Sequence, residues 1–212
     1  MAVDYDSVSA DHHEKLTRSK NPVTRYYNNN RFQKIRDFLS KKYSKGMKIL
    51  DIGCGCSNWN MEKLPVTGID SNKGALEYGK KAGYLQDGVC WDLRKPPLPF
   101  KDESFDFIIM SEVLEHLPSP GTTLKECSRI LKKGGFLAAT VPLDTFMSPW
   151  QILFETKCVL IGDLLGDEYY KQRCGHIQHF SFKLLSELLE KSGFSVSEKD
   201  ITIMNIGVLA KK

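Results

Sequence analysis

The chain has 212 residues, enough for one large domain with its own core and short for two complete ones. With 41% hydrophobic and 26% charged residues, its composition excludes disorder over most of its length. The formal charge of +4 is slight, yet ten Lys and Arg residues crowd into the first 45 positions against five acids, so any contact with nucleic acid, an anionic membrane or a phosphorylated substrate belongs to the N-terminal arm. A solvated basic helix face explains the same pattern.

Residues 1–20 show little periodicity and are expected to be disordered. From Arg25 to Tyr43, by contrast, Tyr27, Phe32, Ile35, Phe38 and Leu39 fall on one helical face. Gly46 breaks that helix, and Met47 to Ile52 forms a short apolar strand entering a glycine-rich turn. Strand and helix then alternate: Val66 to Asp70 extended, Lys73 to Ala82 helical, Gly88 to Asp92 extended, Phe105 to Ser111 a strongly apolar strand. A helix from Thr122 to Leu131 is expected to end at Lys132-Lys133-Gly134-Gly135, where cations and glycine suit a C-terminus, with Phe136 to Val141 extended after it.

The alternation predicts parallel βαβ units and an α/β, doubly wound sheet. Residues 142–180 form an apolar insertion after strand five, carrying Phe146, Met147, Trp150, Ile152, Leu153, Phe154, Val159, Leu160, Ile161, Leu164 and Leu165. An insertion of that length is usually functional. A helix follows from Ser181, a capping residue, to Lys191; Gly193 stops it, and β runs at 194–202 and 205–210 close the chain. The expected organisation is a single domain over 1–212, with an N-terminal helical arm at 1–45, a ligand-binding core at 46–141, the insertion at 142–180, and a C-terminal helix and β-hairpin at 181–212.

Chemistry concentrates at the strand tips. In Asp51-Ile52-Gly53-Cys54-Gly55-Cys56-Ser57, glycines let the backbone turn sharply and a ligand approach at the carboxyl end of strand one. Gly68-Ile69-Asp70 sets a carboxylate at the next strand's tip, where it can accept from both hydroxyls of a ribose. A dinucleotide fingerprint needs a third glycine where Asn58 stands, which counts against NAD and FAD and a nicotinamide oxidoreductase.

On these residues, from about Met47 to Val141, the chain resembles the S-adenosylmethionine (SAM)-dependent methyltransferases of the Rossmann-like class, type 11, especially the branch with small-molecule and quinone-type enzymes. The match runs through Ile49-Leu50-Asp51-Ile52-Gly53-Cys54-Gly55, Cys90-Trp91-Asp92-Leu93, the stretch Pro97 to Asp106, and Ser111-Glu112-Val113-Leu114-Glu115-His116-Leu117; Ser57 stands where a third glycine is common. The resemblance implies a mostly parallel seven-stranded sheet, SAM as methyl donor and S-adenosylhomocysteine as product. It implies cofactor-binding roles for Asp51, Gly53, Cys54, Gly55, Asp70, Ser71, Trp91, Asp92, Leu93, Ser111 and Glu112. Asp70 would hold the ribose and Asp92 the adenine amino group, while the arm would fold over the cofactor as a lid.

Methyl transfer from a sulfonium needs alignment above all, and an oxygen acceptor needs a base as well. His116, His176 and His179 are the candidates for that catalytic role. No metal site is assigned, since His176 and His179 at HxxH spacing are weak evidence for one. The apolar insertion points to a small-molecule, hydrophobic acceptor, lipid- or quinone-like, with peripheral membrane contact or a homodimer seam as further uses of the same face. The alternatives are an RNA or protein acceptor, suggested by the basic arm but lacking an Asn-Pro-Pro-Tyr motif, and a non-catalytic SAM-binding regulator. Nucleic acid is not the favoured partner.

Six cysteines show neither CxxC pairing nor disulfide density and read as reduced thiols. No signal segment opens the chain, and no apolar run approaches the roughly 20 residues that span a bilayer, so the expected location is cytoplasmic.

Overall fold

A computed structural model describes residues 8–145 and 148–212; Met1 to Ser7, and Phe146 and Met147 of the insertion, lie outside the described residues. The strands are β1 (Ile49–Ile52), β2 (Val66–Asp70), β3 (Asp87–Cys90), β4 (Phe105–Ser111), β5 (Leu131–Pro142), β6 (Ser195–Ile201) and β7 (Asn205–Lys211). They form one sheet in the order β3-β2-β1-β4-β5-β7-β6. The first five pair in parallel, while β7 runs antiparallel to both β5 and β6. The order reverses between β1 and β4, and at such a switch point connections leave the strand tips in opposite directions and open a crevice.

The pleat divides the core. Leu50, Ile52, Ile108 and Met110 pack on one face with Leu124 and Cys127 of α4 (Pro120–Ile130) and with Leu185 and Leu189 of α7 (Phe182–Lys191). Ile49, Phe107, Ile109 and Leu209 pack on the other with Phe32, Ile35 and Phe38 of α2 (Pro22–Ser40) and Leu76 of α3 (Lys73–Ala82). Both faces are covered, which explains why the parallel strands read as continuous apolar runs.

Caps fix several helix ends. The Asn21 side chain accepts from the amides of Val23 and Thr24, and Pro22 fills the first position, so α2 starts three residues before Arg25, where periodicity places its beginning. The Ser181 hydroxyl accepts from the Leu184 amide, and Gly193 follows α7 at φ +89°.

Two expectations are corrected. Within the stretch expected to be disordered, His12–Thr17 forms a short helix, α1, held to α3 by the Tyr78 hydroxyl donating to Glu14 at 2.8 Å. Lys132 to Gly135 is not a helix end: α4 stops at Ile130, and β5 begins at Leu131, which pairs with Phe105 before a bulge resets the register at Phe107. The fully buried Leu131 side chain favours this early entry into the sheet.

The basic arm is partly internal. Lys34 is buried to 2% exposure and reaches the Asp200 carboxylate at 2.5 Å, and Arg31 is 5% exposed. Those two cations are withdrawn from any surface partner.

Residues 53–65, which join β1 to β2, contain no helix. Thirteen residues are close to the shortest parallel crossover, and the segment crosses through buried turns, with Trp59 at 2% exposure filling the place beneath it. This connection lies against α3 at Gly79, where a Cβ would sit 2.7 Å from the Cys56 carbonyl oxygen and 2.9 Å from Leu85. Gly79→Ala is therefore expected to cost about 1–3 kcal/mol, lowering Tm by about 2–4 °C per kcal/mol at this size. A thermal melt matching the parent would show that turn and helix part freely.

Candidate active site

The carboxyl tips of β1, β2, β4 and β5 converge on the crevice. Beyond β1, Gly53 and Gly55 take φ values of +63° and +51°, a conformation that favours glycine. Each also admits a close neighbour: a Cβ on Gly53 would meet Val113 at 2.5 Å, and one on Gly55 would meet the His13 ring at 2.7 Å. The turn is tied to β2 by the Asp70 carboxylate, which accepts from the amides of Gly55 and Asn72, both at 2.8 Å. α1 thus lies over the glycine turn, and the Asn72 side chain donates to the Val8 carbonyl.

Beneath the turn, the Asp51 carboxylate accepts from Ser57 Oγ at 2.5 Å and Trp59 Nε1 at 2.7 Å. Burial outweighs these two donors and pushes Asp51 from an ordinary 3.8 up to about 7. Ser57, standing where a further glycine is common, holds φ +53° by donating to Asp51.

Beyond β4, Ser111 Oγ lies 3.0 Å from Thr140 Oγ1, and Glu112, at φ +58°, donates its amide to the Thr140 carbonyl and accepts from the Tyr27 hydroxyl of α2. Leu114–His116 forms a single 3₁₀ turn that carries Glu115 inward to 1% exposure, with neither carboxylate oxygen hydrogen-bonded. Burial raises the pKa of Glu112, and burial together with the Glu112 charge raises that of Glu115 well above its ordinary value. The Arg31 guanidinium opposes the rise at Asp51, Glu112 and Glu115 alike, and one of its terminal nitrogens meets His13 Nδ1 at 3.2 Å.

The three candidate histidines separate. His116 Nδ1 lies 3.1 Å from the Gly175 carbonyl, leaving Nε2 facing Glu115 at 3.9 Å; its ring meets that of His176 with centroids 4.9 Å apart. Burial lowers His116 to about 4 and His176 to about 3, so both are neutral at physiological pH. His179 turns elsewhere: its Nδ1 is 2.6 Å from the buried Asp144 carboxylate at the tip of β5. The two members of the HxxH spacing therefore face different partners.

An aromatic seam closes the site. Tyr27 stacks on Trp150 of α5 (Pro149–Lys157) at 4.3 Å, Trp150 on Phe154 at 5.9 Å, and Phe154 on His176 at 4.8 Å. The remaining nominated residues frame the rim. Cys54 is buried behind the turn, and Ser71 accepts from Cys90 Sγ. Trp91 and Leu93 are half-buried against the core, and Asp92 is paired with Arg94 at 2.8 Å. Asp92 thus has lone pairs left for another donor, but its carboxylate is already oriented by Arg94.

Arg31, Tyr27, Glu115, Asp144 and Trp150 were not nominated from the sequence. Only Glu115 carried a local signal, as an acid inside an apolar motif; the others are brought in by tertiary packing.

Two features of the turn are of the kind that hold a nucleoside: glycines that bring no side chain of their own, and beside them the Asp70 carboxylate. The integrity of that turn depends on Asp51. Because its folded pKa lies above the ordinary value, the contribution of Asp51 to stability is fully present below about 4 and is lost as pH rises through about 7. Trp59→Phe removes one donor to the ionised form, so it is expected to cost about 1–3 kcal/mol, with the deficit larger at about pH 9 than at about pH 5. Denaturant melts at both pH values measure this, and an equal deficit at the two would exclude ionised Asp51 as the group Trp59 serves.

Residues 50–139 match the family profile described as a methyltransferase domain. The chain is 28% identical over 207 residues to the demethylmenaquinone methyltransferase of Bacillus pumilus, covering 86% of each protein. Among solved structures, a SAM-dependent methyltransferase of Thermotoga maritima superposes with TM-score 0.62 at 23% identity, over 95% of this chain and 99% of that one. The Haloferax volcanii complex of a methyltransferase with its Trm112 activator gives TM-score 0.71 at 16% identity, over 100% and 98%. The structural likenesses speak for the fold, and the methyltransferase-domain match over residues 50–139 together with the relative along most of the chain supports SAM-dependent methyl transfer, with SAM as the cofactor.

Proposed function

We propose that this methyltransferase acts on a small, hydrophobic acceptor of quinone or lipid type. The observation that carries the reading is the insertion's exposed aliphatic face beside the crevice. Leu160, Leu164 and Leu165 are 51%, 70% and 78% exposed, with Ile152, Leu153, Val159 and Ile177 also open to solvent. A run of exposed aliphatics suits an apolar ligand or the surface of a bilayer in which such a ligand is dissolved. No helix among the described residues is long and apolar enough to cross a membrane, so a contact of this kind is peripheral. The demethylmenaquinone activity named for the Bacillus pumilus relative agrees with this acceptor class.

SAM supplies a methyl group on a good leaving group, and the protein's task is to hold donor and acceptor in line. In this reading Asp70 accepts from the ribose while Gly53 and Gly55 let the backbone approach the donor. Trp91, Asp92 and Leu93 border the adenine, and Ser111 and Glu112 border the far side. Among the histidines, His179 has the geometry of a general base: Asp144 fixes its Nδ1 and leaves Nε2 to take a proton. His116 and His176 line the acceptor side through the aromatic seam.

Transfer of label from methyl-labelled SAM to a demethylated quinol in detergent tests the acceptor; label entering RNA or protein in its place would establish the rival acceptor. Asp70→Ala is expected to weaken SAM binding at least about tenfold by calorimetry, since two charge-assisted hydrogen bonds are lost. His179→Ala is expected to lower kcat about 10²–10⁴-fold with the SAM Kd unchanged. A kcat equal to the parent's would remove His179 from the chemistry.

A further inference from the structure

Glu115, His116 and His176 come together from two separate stretches of chain, each offering one ligand atom, and these atoms lie within 4.8 Å of one another. We propose that this triad binds a divalent transition-metal ion of the zinc class. Glu115 is 1% exposed and both of its oxygens lack a hydrogen-bond partner. His176 Nδ1 is likewise buried and unpartnered. Such atoms are costly to leave unsatisfied, and a cation satisfies all of them at once.

The tautomer of His116 is already set for ligation. Its Nδ1 is bonded to the Gly175 carbonyl, the outer-shell contact that typically orients a metal-binding imidazole, and Nε2 points towards Glu115. The Glu115 backbone carbonyl accepts from the amides of Ile177 and Gln178, which ties the segment carrying His176 to the turn carrying the other two ligands. Two neutral imidazoles and a carboxylate suit zinc, iron or cobalt rather than magnesium, which prefers oxygen. Ligands at about 2.1 Å from a tetrahedral ion are about 3.4 Å apart, so binding requires the three side chains to draw in by about 1 Å.

Three protein ligands leave a tetrahedral ion an open position, where an acceptor oxygen can bind. That use rests on the methyltransferase reading; binding of the ion does not, and the test is therefore made without SAM or acceptor.

The full chain, stripped with chelator, is titrated with Co²⁺ alone and followed by visible absorption. The expected result is saturable absorption of imidazole-bound cobalt at one ion per chain, displaced by Zn²⁺. His176→Ala should weaken cobalt binding beyond the about 10–100-fold that loss of an outer-shell partner costs. Glu115→Gln, which keeps shape and removes charge, should do the same, while His179→Ala should leave binding intact. Thermal melts on each variant separate ligand loss from unfolding. No cobalt absorption with the parent chain, binding unchanged in folded His176→Ala, or binding lost in His179→Ala would each overturn the triad. Calorimetry with SAM, run separately, reports on the cofactor reading alone.

Discussion

The crevice is governed by a shortage of positive charge. Asp51, Glu112 and Glu115 sit at or just beyond the tips of two neighbouring strands with their carboxylates withdrawn from water, and the Arg31 guanidinium is the cation that faces all three. Taking a carboxylate out of water is expensive unless it is paired or hydrogen-bonded. Asp51 meets the cost with two donors, Glu112 with Tyr27, and Glu115 with its own backbone amide, the shared guanidinium and a distant imidazole. The elements around the crevice are arranged to serve these groups: α2 brings Arg31 and Tyr27, and the connection after β1 brings Ser57 and Trp59.

This explains why the β1–β2 connection can do without a helix. A helix would place its N-terminus at the glycine turn and satisfy the turn through its own amides. Here the turn is held by side chains, with Asp70 accepting from Gly55 and Asp51 from two groups further along. Polar contacts that are fully satisfied rigidify a segment as well as regular structure does, provided each partner is present. The close approach of Gly79 to the Cys56 carbonyl then seats the whole connection against α3.

Much of this was legible in the sequence where a single local signal decides the outcome. Val66–Asp70, Lys73–Ala82 and Phe105–Ser111 fall where periodicity and turn residues place them, because burial on a covered parallel sheet and helix capping act over a few residues. Leu131 to Gly135 was misread since Lys-Lys-Gly-Gly is good C-cap chemistry, and the competing signal, Leu131 pairing with Phe105, is a contact across 26 residues. α1 was missed because six residues have too little periodicity to register, and its stability comes from Tyr78 and Arg31, elsewhere in the chain. At the site, the glycines and Asp70 were readable from strand context. Arg31 was counted as part of a basic arm, and only the fold shows it turned inward.

The same distinction bears on why the arm and the insertion belong to one site. Tyr27 from α2, Trp150 and Phe154 from α5, and His176 near the end of the insertion stack in sequence and end on His116. Stacked rings hold a fixed spacing, so a shift of α5 is felt at Tyr27 on one side and at the histidine pair on the other. Tyr27 in turn donates to Glu112, at the tip of β4, whose charge acts on Glu115. A ligand that moves the insertion therefore alters the surroundings of both acids without touching them. Coupling of that kind requires the arm to be docked, because with α2 displaced the seam loses its first ring and the carboxylates lose their guanidinium in the same step.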